Sequence, residues 1–111
     1  MEEYVLSSDL LRGNVDTIVL AILEKSDSYG FEIYNNILMK TGGEYEIKEV
    51  TLYSTYRRLE KDGYVISYWG DESQGARRRY YHITDIGRMV LASKRKKWEL
   101  AKKILTMLME E

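Results

Sequence analysis

The sequence predicts a mainly α fold of the α+β kind, with three helices, a two-stranded β-hairpin and a long closing helix. Three observations carry this. Apolar residues recur at intervals of three and four over most of residues 9–61. The period changes at residues 64–83, where β-branched and aromatic residues flank a polar, glycine-punctuated stretch. Helical spacing then returns from residue 84 to the C-terminus without another breaker. At 111 residues, 44% hydrophobic and 32% charged, the chain can bury one core but has little length left for a second.

The elements follow in order. In "DLLRGNVDTIVLAILEKSDSYG", Val15, Ile18, Val19, Ile22 and Leu23 define a helical stripe over about residues 9–25, and Asp27-Ser28 breaks it. "SYGFEIYNNILMKTGG" places Ile33, Ile37 and Leu38 on one face of a second helix that stops at Gly42-Gly43. "EVTLYSTYRRLEKDG" spaces Leu52, Tyr56 and Leu59 by four and three, with Gly63 where a C-terminal glycine belongs. "YVISYW" (64–69) and "RRRYYHI" (77–83) form the hairpin. Thr84 is the expected N-cap of the last helix, with Asp85 in its first turn.

Composition narrows the setting. There is no cysteine, so disulfides and thiolate metal sites are excluded and a reducing cytoplasm is the expected compartment. The longest apolar run, "IVLAIL" at 18–23, is far short of the ~20 residues needed to span a bilayer, and the opening "MEEY" is acidic, unlike a signal peptide. No membrane association is expected. The net charge of −1 conceals an asymmetry: residues 1–49 carry 4 Lys/Arg against 10 Asp/Glu, residues 76–111 carry 10 against 4. A basic C-terminal third suits an anionic partner such as nucleic acid, although a charge run also serves as a plain solvated face.

Three helices followed by a hairpin is the order that a winged helix-turn-helix requires, with the third helix in a major groove and the wing beside the adjacent backbone. Residues 1–83 make up this DNA-binding part, and 84–111 add a C-terminal dimerisation helix to the same compact domain. Arg77, Arg78 and Arg79, at the start of the second wing strand, are then placed to meet phosphates. Strand alternation sends Arg77 and Arg79 to one face and Arg78 to the other. The competing reading of all three is a solubilising charge on an edge strand.

The residues also carry a resemblance. "TLYSTYRRLEKDGYV" (51–65), the arginine-rich strand ending in "YYHITDIG" (80–87) and "SYGFEI" (28–33) together resemble the signature of the PadR family of bacterial transcriptional regulators over about residues 10–90. The single long C-terminal helix is similar to that of the family's short, drug-responsive branch. The chain departs from the family's common Gly-Thr-Leu-Tyr-Pro: Val50 and Ser54 stand at the glycine and proline positions. Proline at the first turn helps start a helix, so base preference should differ from relatives that carry it.

The resemblance implies a double-stranded DNA operator as partner and places Tyr53 near the exposed start of the third helix, its phenol facing a phosphate; the alternative is that Tyr53 packs on the wing. Thr51, Ser54, Thr55, Arg57 and Arg58 are the other polar candidates there. Thr55 and Arg58 lie three apart on neighbouring faces, and one of them is expected to read a base edge. The alternative for Arg57 and Arg58 is a pair with Glu60 or Asp62, or no partner at all. Lys48, just before the helix, is a further phosphate candidate.

Such readers usually act as symmetric dimers. In the last helix Leu91, Lys94, Trp98, Ala101, Leu105 and Leu108 alternate by threes and fours, a heptad-like seam for a second copy of the chain, with Ile104 and Met107 alongside. Two readings stand for Trp98. One is a filled dimer core. The other, implied by the resemblance, is a slot in which Trp98 and its symmetry mate stack on a planar aromatic effector, lined by Leu10, Gly13 and Thr17 of the first helix and by Ala101 and Lys102.

Catalysis needs converging groups, and the chain offers one histidine, no cysteine and no glycine-rich phosphate loop after a strand. No enzyme activity, cofactor or metal is expected: Glu44, Glu46 and Glu49 read as a charged connector and His82 as a strand-end residue. The reading is a dimeric PadR-like regulator, a repressor relieved by a hydrophobic ligand. Two other classes compete with it, a winged-helix module that joins proteins without reading DNA and a small-molecule-sensing or carrier dimer.

Overall fold

The structure, a computed structural model, describes residues 11–71 and 77–110. A short 3-10 turn at Arg12–Asn14 leads into α1 (Val15–Lys25), followed by β1 (Ser28–Tyr29), α2 (Gly30–Lys40), α3 (Glu49–Lys61), β2 (Val65–Trp69), β3 (Arg79–Ile83) and α4 (Asp85–Met109). The mainly α winged-helix architecture expected from the sequence is what is found, with one addition. The hairpin is joined by a third strand, giving the order β1-β3-β2, all antiparallel. β1 is only two residues long, too short to leave a period in the sequence, and "SYG" reads as the opening of α2. Ser28 pairs with Tyr81 and Tyr29 with Tyr80, so the strand ties the start of α2 to the root of the wing.

The core draws on every layer. Val15, Val19, Leu20 and Leu23 of α1 meet Ile33 and Ile37 of α2, Leu52, Tyr56 and Leu59 of α3, Val65, Tyr81 and Ile83 of the sheet, and Leu91 of α4. The α3 stripe is the one its spacing predicts. Ile18 and Ile22 of α1 pack half-buried against the core, Leu38 is half-buried, and Leu20 is fully buried although it falls outside the predicted stripe.

Glycine sets two of the boundaries. Gly63 follows α3 with φ +80°, a left-handed conformation that costs other residues ~1–2 kcal/mol, and the Tyr64 N–H behind it bonds the Leu59 carbonyl at 2.9 Å. Gly87 answers to space instead. A Cβ there would overlap the Tyr64 carbonyl oxygen and lie 2.8 Å from Ile83 Cγ1. The same carbonyl accepts from the Thr84 N–H at 3.0 Å; the Thr84 hydroxyl donates to the Gly63 carbonyl at 2.8 Å, with the Tyr64 carbonyl at 3.1 Å, while Thr84 Oγ1 accepts from the Gly87 N–H at 3.0 Å. Thr84 thus caps α4, as predicted, and also clamps its first turn to the turn between α3 and β2.

Candidate nucleic-acid interface

At about 100° per residue, α3 turns Leu52, Thr55, Tyr56 and Leu59 inward and leaves Val50, Ser54, Arg57 and Lys61 on the opposite side. Val50, Tyr53, Ser54 and Arg57, at positions i, i+3, i+4 and i+7, line a shallow concavity of about 430 Å³ on that outer face. The Tyr53 ring meets that of Tyr56 edge to face at 5.8 Å and is 52% exposed. Lys48 takes the N-cap position with extended backbone, and Lys48 and Thr51 are both exposed at the start of the helix.

Two candidates prove to be otherwise engaged. Thr55 is 2% exposed and its hydroxyl donates to the Thr51 carbonyl at 2.9 Å, so it belongs to the core and has no surface to offer a base. Arg58 reaches neither Glu60 nor Asp62 but pairs with Asp16 of α1, bracing α3 against α1. The wheel explains both: Thr55 falls within the arc of the buried stripe, and Arg58 lies at its border with α1.

The wing arginines are aimed by rings and a carboxylate. β3 begins at Arg79, yet the two arginines before it keep the expected alternation: Arg77 goes to Trp69, the partner of Arg79, and Arg78 to Tyr29, the partner of Tyr80. The Arg77 guanidinium lies 5.2 Å over the Trp69 ring and that of Arg78 4.6 Å over the Tyr29 ring. Arg79 donates to Ser67 Oγ through Nε at 3.0 Å and Nη2 at 2.8 Å, and Nη2 also reaches Glu60 Oε1 at 3.3 Å. The Ser67 hydroxyl donates to Glu60 Oε2 at 2.5 Å. All three arginines line one concavity of about 540 Å³ together with Tyr29, Tyr53 and Arg57, between the outer face of α3 and the wing. Residues 72–76, the tip of the expected wing loop, lie outside the described residues.

The root of the wing is held by a second carboxylate. Asp27 Oδ2 accepts the Tyr68 hydroxyl at 2.5 Å and Oδ1 meets His82 Nδ1 at 2.7 Å, joining the segment before β1 to both wing strands. Partial burial works to raise the Asp27 pKa, but the hydrogen bonds from Tyr68 and His82 and the charges of His82 and Arg88 outweigh it, and the carboxyl lies below its ordinary range. The same bond to Asp27 pushes the Tyr68 phenol up to about 12. His82 is therefore a structural partner of Asp27, a link that its place in the sequence does not reveal. Among the described residues no group of three or more His, Cys, Asp or Glu side chains is arranged to hold a metal.

α4 has two regions. Near its start Leu91 is fully buried in its own chain and has no surface to give to a partner; farther on Arg95 pairs with Glu24 of α1 at 2.9 Å. Beyond that point Trp98, Leu100, Ile104, Leu105, Met107 and Leu108 are all exposed, Trp98 at 47% and Leu108 at 78%. Ala101 and Lys102 share this stretch, and Lys102 pairs with Glu99 at 3.4 Å. Of the expected slot residues, Gly13 is exposed in the 3-10 turn, with nothing among the described residues within 4 Å of an added Cβ, Thr17 of α1 is half-buried, and Leu10 lies outside the described residues. No helix among the described residues is long and apolar enough to cross a membrane.

Comparison with known proteins agrees with this arrangement. Residues 19–93 match the Transcriptional regulator PadR-like family. A solved structure of a transcriptional regulator from Clostridium thermocellum is 50% identical, covers 96% of this chain and all of its own, and superposes with a TM-score of 0.88. That of a PadR family transcription regulator from hypervirulent Clostridium difficile is 34% identical over 86% of this chain and 98% of its own, with a TM-score of 0.74. A Lysinibacillus sphaericus protein named only Uncharacterized protein X is 40% identical over 106 residues, 96% of this chain and 97% of its own. On this match, which spans α1 to the first turns of α4, the chain belongs to the PadR-like family of transcriptional regulators, which are DNA-binding proteins and not enzymes.

Proposed function

We propose that the chain is a dimeric repressor that reads an operator through α3 and the wing and is released by a planar aromatic ligand bound between the C-terminal helices. The observation that carries the DNA half is the convergence of Arg57, Arg77, Arg78 and Arg79 on the concavity beside the outer face of α3. Lys48, Thr51, Tyr53 and Ser54 extend this polar surface to the start of the helix. Guanidinium groups held over aromatic rings lose less side-chain entropy when they meet a phosphate, and bidentate arginine contacts are the strongest of that kind.

Support for the dimer is the run of exposed apolar residues from Trp98 to Leu108. A contiguous apolar face of this length on a soluble regulator calls for a cover, and a second copy of the same helix supplies one by two-fold symmetry. Trp98, Ala101, Leu105 and Leu108 form the seam. Where two Trp98 rings face one another, a flat aromatic molecule stacks between them with little demand for directional hydrogen bonds. Such a ligand acts on DNA only by favouring one spacing of the two α3 helices over another.

The test is binding to the DNA upstream of the protein's own gene against a scrambled duplex, at about 150 mM salt, with and without a planar dye that quenches tryptophan. Specific binding to two half-sites about one helical turn apart, weakened by the dye, is the expected result. Equal weak binding to both duplexes would refute operator reading and favour an interaction module.

A further inference from the structure

We propose that Val50 is a specificity-determining residue, reading thymine in the operator through its C5-methyl group; the inference rests on the operator-reading function proposed above. Val50 is 75% exposed in the first turn of α3. Folding gives no reason for it. Its side chain is directed away from the buried row of Leu52, Tyr56 and Leu59, and valine is a poorer helix former than the Lys, Glu or Ala that usually fill a solvated helix position.

Isolated exposed apolar residues are ordinary on protein surfaces, and what distinguishes Val50 is where it lies. It shares the concavity on the outer face of α3 with Tyr53, Ser54 and Arg57, and a second one with Thr51 and Ser54. It also stands near the N-terminal end of the recognition helix, the end that meets base edges when such a helix lies in a major groove.

Its chemistry then selects the partner. An isopropyl group neither donates nor accepts, so it cannot read the amino, carbonyl or ring-nitrogen positions of a base edge. The thymine methyl is the one apolar group that the major groove offers. Arg57, two turns along on the same face, has the opposite preference and suits the paired acceptors of guanine. The outer face of α3 thus carries one apolar and one cationic reader, with Ser54 between them, whose hydroxyl can donate or accept.

The test separates this inference from the function beneath it. Wild-type protein and the V50A variant are each used to enrich binding sites from a random duplex pool. The wild type is expected to enrich a motif with an invariant thymine in each half-site, and V50A the same motif with that position degenerate. In a second arm the wild type meets its enriched duplex with that thymine replaced by deoxyuridine, which removes only the methyl. Affinity should fall about fourfold per half-site, the worth of one buried methyl group, and about 15-fold over two; V50A should not distinguish the two duplexes. Unchanged wild-type affinity for the deoxyuridine duplex, or retention of the thymine by V50A, would overturn the role of Val50 and leave operator reading intact. Enrichment of no motif by the wild type would overturn both.

Discussion

Replacing Gly87 by alanine is expected to loosen the whole of α4 from the body of the protein. The added Cβ would overlap the Tyr64 carbonyl oxygen and lie 2.8 Å from Ile83 Cγ1 and 3.1 Å from the Tyr64 carbonyl carbon. Ile83 is 1% exposed and fixed in the sheet opposite Val65, so it has nowhere to retreat. Moving the Tyr64 carbonyl instead breaks its bond from the Thr84 N–H and disturbs the Gly63–Tyr64 turn to which the Thr84 hydroxyl is bonded, and with them the geometry in which Thr84 caps the helix. Overpacking of this kind costs about 1–3 kcal/mol and a lost N-cap about 1 more, so a loss of about 2–4 kcal/mol is expected. At ~2.1 cal/mol/K of unfolding entropy per residue, this lowers Tm by about 9–17 °C. The assay is thermal and urea unfolding at one fixed protomer concentration, because association would stabilise both proteins. Gly13→Ala is the control, since nothing among the described residues lies within 4 Å of its added Cβ, and it should be neutral or slightly stabilising. If Gly87→Ala unfolds within about 0.5 kcal/mol of the wild type, the close approach of α4 to the turn before β2 is not a constraint and the reasoning fails.

Four further outcomes are expected. Glu60→Gln removes the carboxylate that holds Arg79 and Ser67; the pair is substantially exposed, so stability should change by less than about 1 kcal/mol, while the log-log salt dependence of DNA binding should steepen by about 0.9 per half-site as Arg79 turns to phosphate. An unchanged slope argues that Arg79 serves the wing alone. The Tyr68 pKa is raised on folding from 10.0 to about 12, so its contribution is complete below pH 10 and is lost as the pH rises toward 12. Tyr68→Phe should flatten that alkaline loss. The Asp27 carboxyl is lowered on folding, so its contribution is present above the ordinary carboxylate range and is lost as the pH falls through the folded value; Asp27→Asn should lower stability at neutral pH and flatten the acid limb. Finally, replacing both Leu105 and Leu108 by lysine should yield a folded monomer in sedimentation, with helicity retained up to Arg95. A dimer that persists would place the interface elsewhere.

Much of this protein is written in local pattern. The stripe of Leu52, Tyr56 and Leu59, the stops at Gly42-Gly43 and Gly63, the cap at Thr84 and the change of period at residue 64 depend only on neighbours within one turn or one strand, and such signals survive in a linear reading. The motifs built on them were enough to identify the family. What only the tertiary structure decided are contacts between residues far apart in the chain: Arg58 with Asp16, Arg79 with Glu60, Tyr68 and His82 with Asp27, and Ser28–Tyr29 with Tyr80–Tyr81. The first of them removed Arg58 from the polar candidates of α3, as helix packing removed Thr55, and left an outer face of Val50, Tyr53, Ser54 and Arg57. Packing also placed Leu91 in the core while leaving the residues beyond Trp98 uncovered. The physical reason is that periodicity states which side of a helix is apolar, whereas the partner of a charged side chain depends on which other element lies within ~4 Å of it once the chain has packed.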